Sequence, residues 1–201
     1  MKVQVLYSGG KDSSLAALLL EPFFDVELVT CTFGLERVWE NAREAAHKIG
    51  FPFKLVKLDS DILDESIEVM LKFGYPRHGI SLVHRRALET VAVLGGAKHI
   101  ADGTRRDDRA PMLTIGEIRS LEDRHGIRYI RPLSGYGRHA IEDLIAEHLE
   151  IVEGEAAAAL KTADYETEIR SSMKNRLGEG AYNRIFPPEH TQSRVLRRYR
   201  S

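Results

Sequence analysis

Short apolar runs alternate with longer amphipathic stretches along most of this chain. Residues 2–7 are apolar and rich in β-formers, and Ser8-Gly9-Gly10 closes them, which predicts a buried strand and a turn. Residues 13–21 carry a helical pattern with Pro22 as a stop. Strands are predicted at 26–33, 53–58, 99–101 and 127–130, and helices at 37–49, 62–73, 81–94, 116–124 and 138–152. Gly50, Gly74 and Gly95-Gly96 terminate three of these helices, and residues 74–79 read as a loop. Beyond Gly154 the pattern is Ala-rich and helical to about Leu177.

Strands and helices that alternate at this spacing predict an α/β protein. The expected fold is a three-layer α/β/α sandwich, Rossmann-like, around a parallel five-stranded sheet, with a C-terminal helical extension. The division expected is residues 1–154 as the main domain and 155–201 as that extension, which carries a basic tail. In such sheets ligands bind outside the carboxyl ends of the strands. That singles out the loops at 8–13, 102–111 and 131–138.

Composition narrows the class. The chain has 201 residues, 43% of them hydrophobic and 29% charged, as expected of a globular protein. Its longest strongly apolar run, residues 15–20, is far shorter than the roughly 20 residues that cross a bilayer. A strand begins at residue 2 with no signal-like segment ahead of it, and one cysteine, Cys31, permits no internal disulfide. A cytoplasmic protein is the expectation. Net charge is −1, but residues 170–201 carry eight Lys/Arg against two Asp/Glu. The basic stretch 194–200 is either a solvated face or a contact for a polyanion such as RNA.

The loop Ser8-Gly9-Gly10-Lys11-Asp12-Ser13-Ser14 has the makings of an anion cradle. Two glycines allow close approach to the main chain, Lys11 adds charge, and Ser13 and Ser14 open a helix whose free amides favour anions. It is not a Walker A loop, because Val5 and Asp12 stand where that pattern needs glycine and Ser/Thr.

SGGKDS resembles the PP-loop of the N-type ATP pyrophosphatases, the adenine nucleotide α-hydrolases. That superfamily includes GMP synthetase, asparagine synthetase, NAD synthetase and the tRNA-thiolating and lysidine-forming enzymes. Gly103-Thr104-x-x-Asp107-Asp108 and Arg131-Pro132-Leu133 resemble two further elements of it, in the expected order, and Arg138 opens the next helix where many members have Lys. The resemblance covers about residues 1–150. It implies ATP and Mg²⁺ as cofactors, α–β cleavage to AMP and pyrophosphate, and adenylation of a substrate oxygen before amidation, thiolation or another ligation. By the same resemblance Ser8, Gly9, Gly10, Lys11, Asp12, Ser13 and Ser14 hold pyrophosphate. Thr32, Phe33, Gly103 and Thr104 then lie near the nucleoside. Asp12 with Asp107 or Asp108 ligates the metal, and Lys11, Asp12, Asp107 and Arg131 are the catalytic candidates.

The acceptor stays open between a small molecule and tRNA. So do a homo-oligomer and a partner subunit that supplies ammonia or sulfur. Residues 75–86 lack the cysteines of sulfur-transferring relatives, and Cys31 reads as buried packing or, less simply, as a persulfide carrier. His78 and His84 read as a polar helix entry or as acid–base groups. Residues 187–194 form either a lid or a docked tail. The competing function is a nucleotide-binding regulator of the universal-stress type, without turnover.

Overall fold

In the computed structural model, residues 1–155, 163, 165–186 and 191–199 are described. Five strands, β1 (Lys2–Leu6), β2 (Asp25–Thr32), β3 (Phe53–Lys57), β4 (His99–Ala101) and β5 (Arg128–Ile130), form a sheet in the order β3-β2-β1-β4-β5. Each adjacent pair is parallel; Val5 stands opposite Leu28 on one side and Ala101 on the other. The order reverses at β1, whose loop therefore opens at the switch point where such sheets bind ligands.

Side-chain alternation along the strands divides the interior in two. Val3, Val5, Val26 and Leu28 face α1 (Lys11–Leu20), α2 (Trp39–Ile49) and α6 (Arg138–His148). Leu6, Val29, Cys31 and Ile100 face α3 (Ser60–Phe73), α4 (Arg77–Leu94) and α5 (Ile115–His125). The expected three-layer α/β/α sandwich is the observed one. Thr114 and Glu117 close a reciprocal capping box at the start of α5.

The extension holds α7 (Tyr165–Leu177), which ends where the helical pattern ends, and α8 (Glu179–Ile185), which that pattern did not include; the Ala-rich stretch 156–162 lies outside the described residues. Ile169, Met173, Ile185 and Phe186 join the core on the α3–α4 side. The C-terminal boundaries differ from expectation. The helix expected over 138–152 stops at His148, and Leu149–Glu155 is a strand, β6. The basic tail is a strand too: β7 (Thr191–Arg198) pairs antiparallel with β6. The physical reason is pairing. Ile151 lies against Val195, and Val195 is fully buried in the core on the α1 face. The tail's arginines meet acids of the body, Arg194 with Glu44, Arg197 with Glu150, and Arg198 with Glu21 at 2.9 Å. Its charge is thus largely neutralised in place. Helix α4 also starts earlier than expected, at Arg77, because Pro76 is compatible with a helix's first turn. Among the described residues no helix is long and apolar enough to cross a membrane.

Helices α3 and α4 touch at Gly79, where an added Cβ would lie 2.5 Å from Met70 and 2.6 Å from the Ser66 carbonyl oxygen. Gly79→Ala is expected to lower stability by about 1–3 kcal/mol. Gly116→Ala, in open space on α5, should raise it by roughly 0.5–1 kcal/mol. Chemical denaturation midpoints check both; a Gly79→Ala midpoint equal to that of the unmodified protein would contradict the packing.

Candidate functional site

Between β1 and α1 the chain turns through Ser8, Gly9 and Gly10. Gly9 has φ of +84°, and a Cβ there would lie 3.0 Å from the Ala42 backbone, so the turn needs glycine on both counts. Ser8 Oγ accepts from the Gly10 amide at 3.3 Å and lies 3.3 Å from Ser13 Oγ. The Ser14 hydroxyl donates to the Gly10 carbonyl at 2.9 Å. Gly10, at the N-cap of α1, offers no side-chain cap, and the Lys11 amide donates instead to Ser193 Oγ, a weak neutral partner that an anion can replace.

The loop after β4 presses against this turn. A Cβ at Gly103 would sit 2.6 Å from the Ser13 nitrogen and 2.7 Å from its Cα. The close approach brings the acidic residues of both loops together. Asp12 Oδ1 is buried and has no hydrogen-bond partner among the described residues. Burial raises the Asp12 carboxyl; Arg105 pulls it down, while Asp108 and Asp107 push it up. Asp108 accepts from the Arg105 amide at 2.7 Å and from its Nε at 3.2 Å. Asp107 is half exposed, 3.8 Å from the same guanidinium. Among the described residues no group of three or more His, Cys, Asp or Glu side chains is gathered as a metal cage. The donor set nevertheless suits one hard cation shared with an anionic ligand, because Asp12 Oδ1 is an unspent oxygen.

A cavity of about 280 Å³ opens beside the turn. Ser8, Asp12, Ser13, Gly103, Thr104 and Asp108 line it; so do Cys31, His84, Asp102 and Tyr165. His84 and Asp102 are buried, with Nε2 2.7 Å from Oδ2. Asp102 also accepts from the Tyr129 hydroxyl and, at 2.9 Å, from the Thr104 amide. Burial pushes the Asp102 carboxyl up, but the His84, Tyr129 and Thr104 contacts outweigh it and hold it below its ordinary value. Cys31 is buried and its thiol is pushed up to about 12, so it is not a thiolate at neutral pH.

Other expected residues lie outside the cavity wall. The Lys11 ammonium pairs with Glu153 of β6, and its amide donates to Ser193 Oγ of β7 at 3.3 Å. The Val195 amide donates to the Gly9 carbonyl at 3.4 Å and the Ala163 amide to that of Ser8 at 2.8 Å. Strand β7 therefore leans on the glycine turn. Of the segment 187–194, residues 187–190 lie outside the described residues. Arg131 precedes a 3₁₀ turn (Pro132–Gly135), and its carbonyl accepts from Ser134. Arg138 is exposed on Glu142, and His78 packs on Phe73.

Thr32 and Phe33 are engaged by a residue that sequence reasoning passed over. Glu168, on α7, is 1% exposed. Its carboxylate accepts from the Thr32 hydroxyl at 3.0 Å, the Phe33 amide at 2.8 Å and the Leu35 amide at 2.9 Å. A buried carboxyl ringed by donors in this way ties α7 to the backbone that follows β2. Glu168→Ala strands those donors, and an expected loss of about 2–4 kcal/mol follows from leaving buried donors unpaired. Thermal denaturation checks it, and a loss under about 1 kcal/mol would contradict this role for Glu168.

An uncharacterized Methanocaldococcus jannaschii protein is 40% identical over 197 residues, 98% of this chain and 96% of its own. A crystal structure described as a predicted subunit of tRNA methyltransferase from that organism superposes with a TM-score of 0.89 at 37% identity. The match covers 100% of this chain and 98% of that one. A glutamine-dependent NAD+ synthetase from Acinetobacter baumannii, solved with ADP, gives a TM-score of 0.45 at 18% identity, over 71% of this chain and 28% of that one. The model of a Family of unknown function (DUF7411) matches residues 1–197, and the chain belongs to that family.

Proposed function

We propose that this protein is a PP-loop ATP pyrophosphatase that adenylates an oxygen of an RNA acceptor. The observation that carries the reading is the junction of the glycine turn with the β4 loop. It sets the start of α1, the Ser8 and Ser13 hydroxyls and Asp12, with its unspent oxygen, around one cavity. That is what a nucleoside triphosphate needs: amides and hydroxyls for its outer phosphates and a carboxylate for its cation. RNA as the acceptor class is favoured by the likeness to the chain described as a predicted tRNA methyltransferase subunit.

In this reading the acceptor oxygen attacks the α-phosphorus of ATP. The bond from that phosphorus to the bridging oxygen breaks, and pyrophosphate leaves with the electron pair. Ser8, Gly9, Gly10, Ser13 and Ser14 receive it, and Lys11 offsets its charge. Asp12, with Asp107 or Asp108, would hold Mg²⁺, which supplies charge neutralisation and a template. Arg131 stands outside the cavity wall and is assigned to the acceptor's approach rather than to ATP.

Lys11 is already paired, with Glu153. Partly exposed ion pairs are worth about 0–1 kcal/mol, so a polyphosphate can displace this carboxylate. Glu153→Gln is expected to tighten ATP binding by about two- to five-fold, read by calorimetry; weaker binding would contradict the competition.

Incubation with α-labelled ATP, Mg²⁺ and bulk tRNA should release pyrophosphate and transfer the label to the RNA as AMP, and ADP with phosphate would overturn the mechanism. Asp12→Asn is expected to lower that turnover by at least about 100-fold. The same change should raise the stability of the free protein at neutral pH. The Asp12 carboxyl is raised in the fold, so its ionised form weakens folding, and that penalty fades as pH falls through its folded value. Denaturation of both forms across pH checks the sign: the gap should shrink toward acid.

A further inference from the structure

The cavity wall also holds a polar group that ATP cleavage does not use. Asp102 accepts three hydrogen bonds from the protein itself, from His84, Tyr129 and Thr104. A carboxylate satisfied in this way is spent on positioning, not on a cation or a ligand. Because it is ionised and accepts from its neighbours, the proton of a neutral His84 ring must sit on Nε2. That leaves Nδ1 with its lone pair. No described residue bonds Nδ1, and the imidazole lines the same cavity as Ser8, Asp12 and Ser13.

The other proton acceptors on the wall are committed. Glu166 is bonded to Arg170, Asp108 to Arg105, and Asp12 belongs to the phosphate loop. The lining also includes the apolar Val29, Ile80, Ala110 and Pro111, and the Tyr165 ring stands edge-on to the imidazole with centroids 6.1 Å apart. Such a wall favours a small neutral nucleophile over an anion.

Chemistry then separates the two halves of the proposed reaction. A carbonyl-type oxygen that attacks phosphorus carries no proton to shed. The nucleophile that displaces AMP does, if it is an amine. We propose that His84 is the general base of that second step, that Asp102 is its positioning residue, and that the cavity admits ammonia or a small primary amine. The C–N bond forms, an N–H bond breaks and its proton goes to Nδ1, and the C–O bond to AMP breaks with the electron pair leaving on AMP. This inference rests on the adenylation reading above.

The test uses the whole protein with ATP, Mg²⁺, bulk tRNA and ammonium chloride. Exchange of labelled pyrophosphate into ATP reports the first half, and ammonium-dependent AMP release reports the whole. His84→Gln can still donate to Asp102 but cannot take a proton. It should lower AMP release about 100-fold more than it lowers exchange. Added imidazole should restore part of the release in His84→Ala. Asp102→Asn should remove the Nε2-protonated tautomer from the ¹⁵N spectrum and lower release without raising the KM for ATP. Equal loss of exchange and release in His84→Gln would overturn the inference, as would release at the unmodified rate or release driven by sulfide but not ammonium. If the unmodified protein shows no exchange, the adenylation reading itself fails, and this inference falls with it.

Discussion

The close contact between Gly103 and the first turn of α1 is the constraint on which the site depends. With room for no Cβ between them, the loops after β1 and β4 form one wall. Parallel order places both loops at the same edge of the sheet, on either side of the β1–β4 pair. From that contact follow the burial of Asp12 and the nearness of Arg105 and Asp108. The cavity that joins the glycine turn to His84 and Asp102 follows as well.

The buried acids there take opposite courses. Asp12 is left with an unpartnered oxygen and is raised by burial, which fits a residue held ready for a charged ligand. Asp102 is saturated with donors and lowered, which fits a residue that holds other groups still. Glu168 is a third kind, an acceptor for the backbone amides that follow β2. Because its carboxylate takes the Phe33 amide, any nucleoside beside that strand must find its polar contacts elsewhere in the cavity. The β6–β7 pair adds a cover whose grip on Lys11 is a partly exposed ion pair. That grip is weak enough to exchange for phosphate.

Much of this was legible in the residues. The central strands are apolar on both faces because helices cover both, and their runs stand out at 2–7 and 26–33. Ser8 to Ser14 announces itself through its glycines and lysine. Asp102 did not, because it reads as the first polar residue of a loop while its partners lie on α4 and β5. Glu168 did not either: an acid on an amphipathic helix looks solvated until its partners, far off in the chain, fold beneath it. The tail was read by charge. Its strand character rests on pairing with Leu149–Glu155, a stretch whose alternation was hidden behind a continuing helical period.

The central claim is that the glycine turn is a seat for the outer phosphates of a nucleotide. A crystal structure with Mg²⁺ and an ATP analogue whose α–β bridge is a methylene tests it most directly. The account predicts the β- and γ-phosphates against the amides of residues 9–14. Lys11 should have moved from Glu153, and the nucleoside should lie in the cavity beside His84. Phosphates seated on Arg131 instead, with Lys11 still on Glu153, would contradict it.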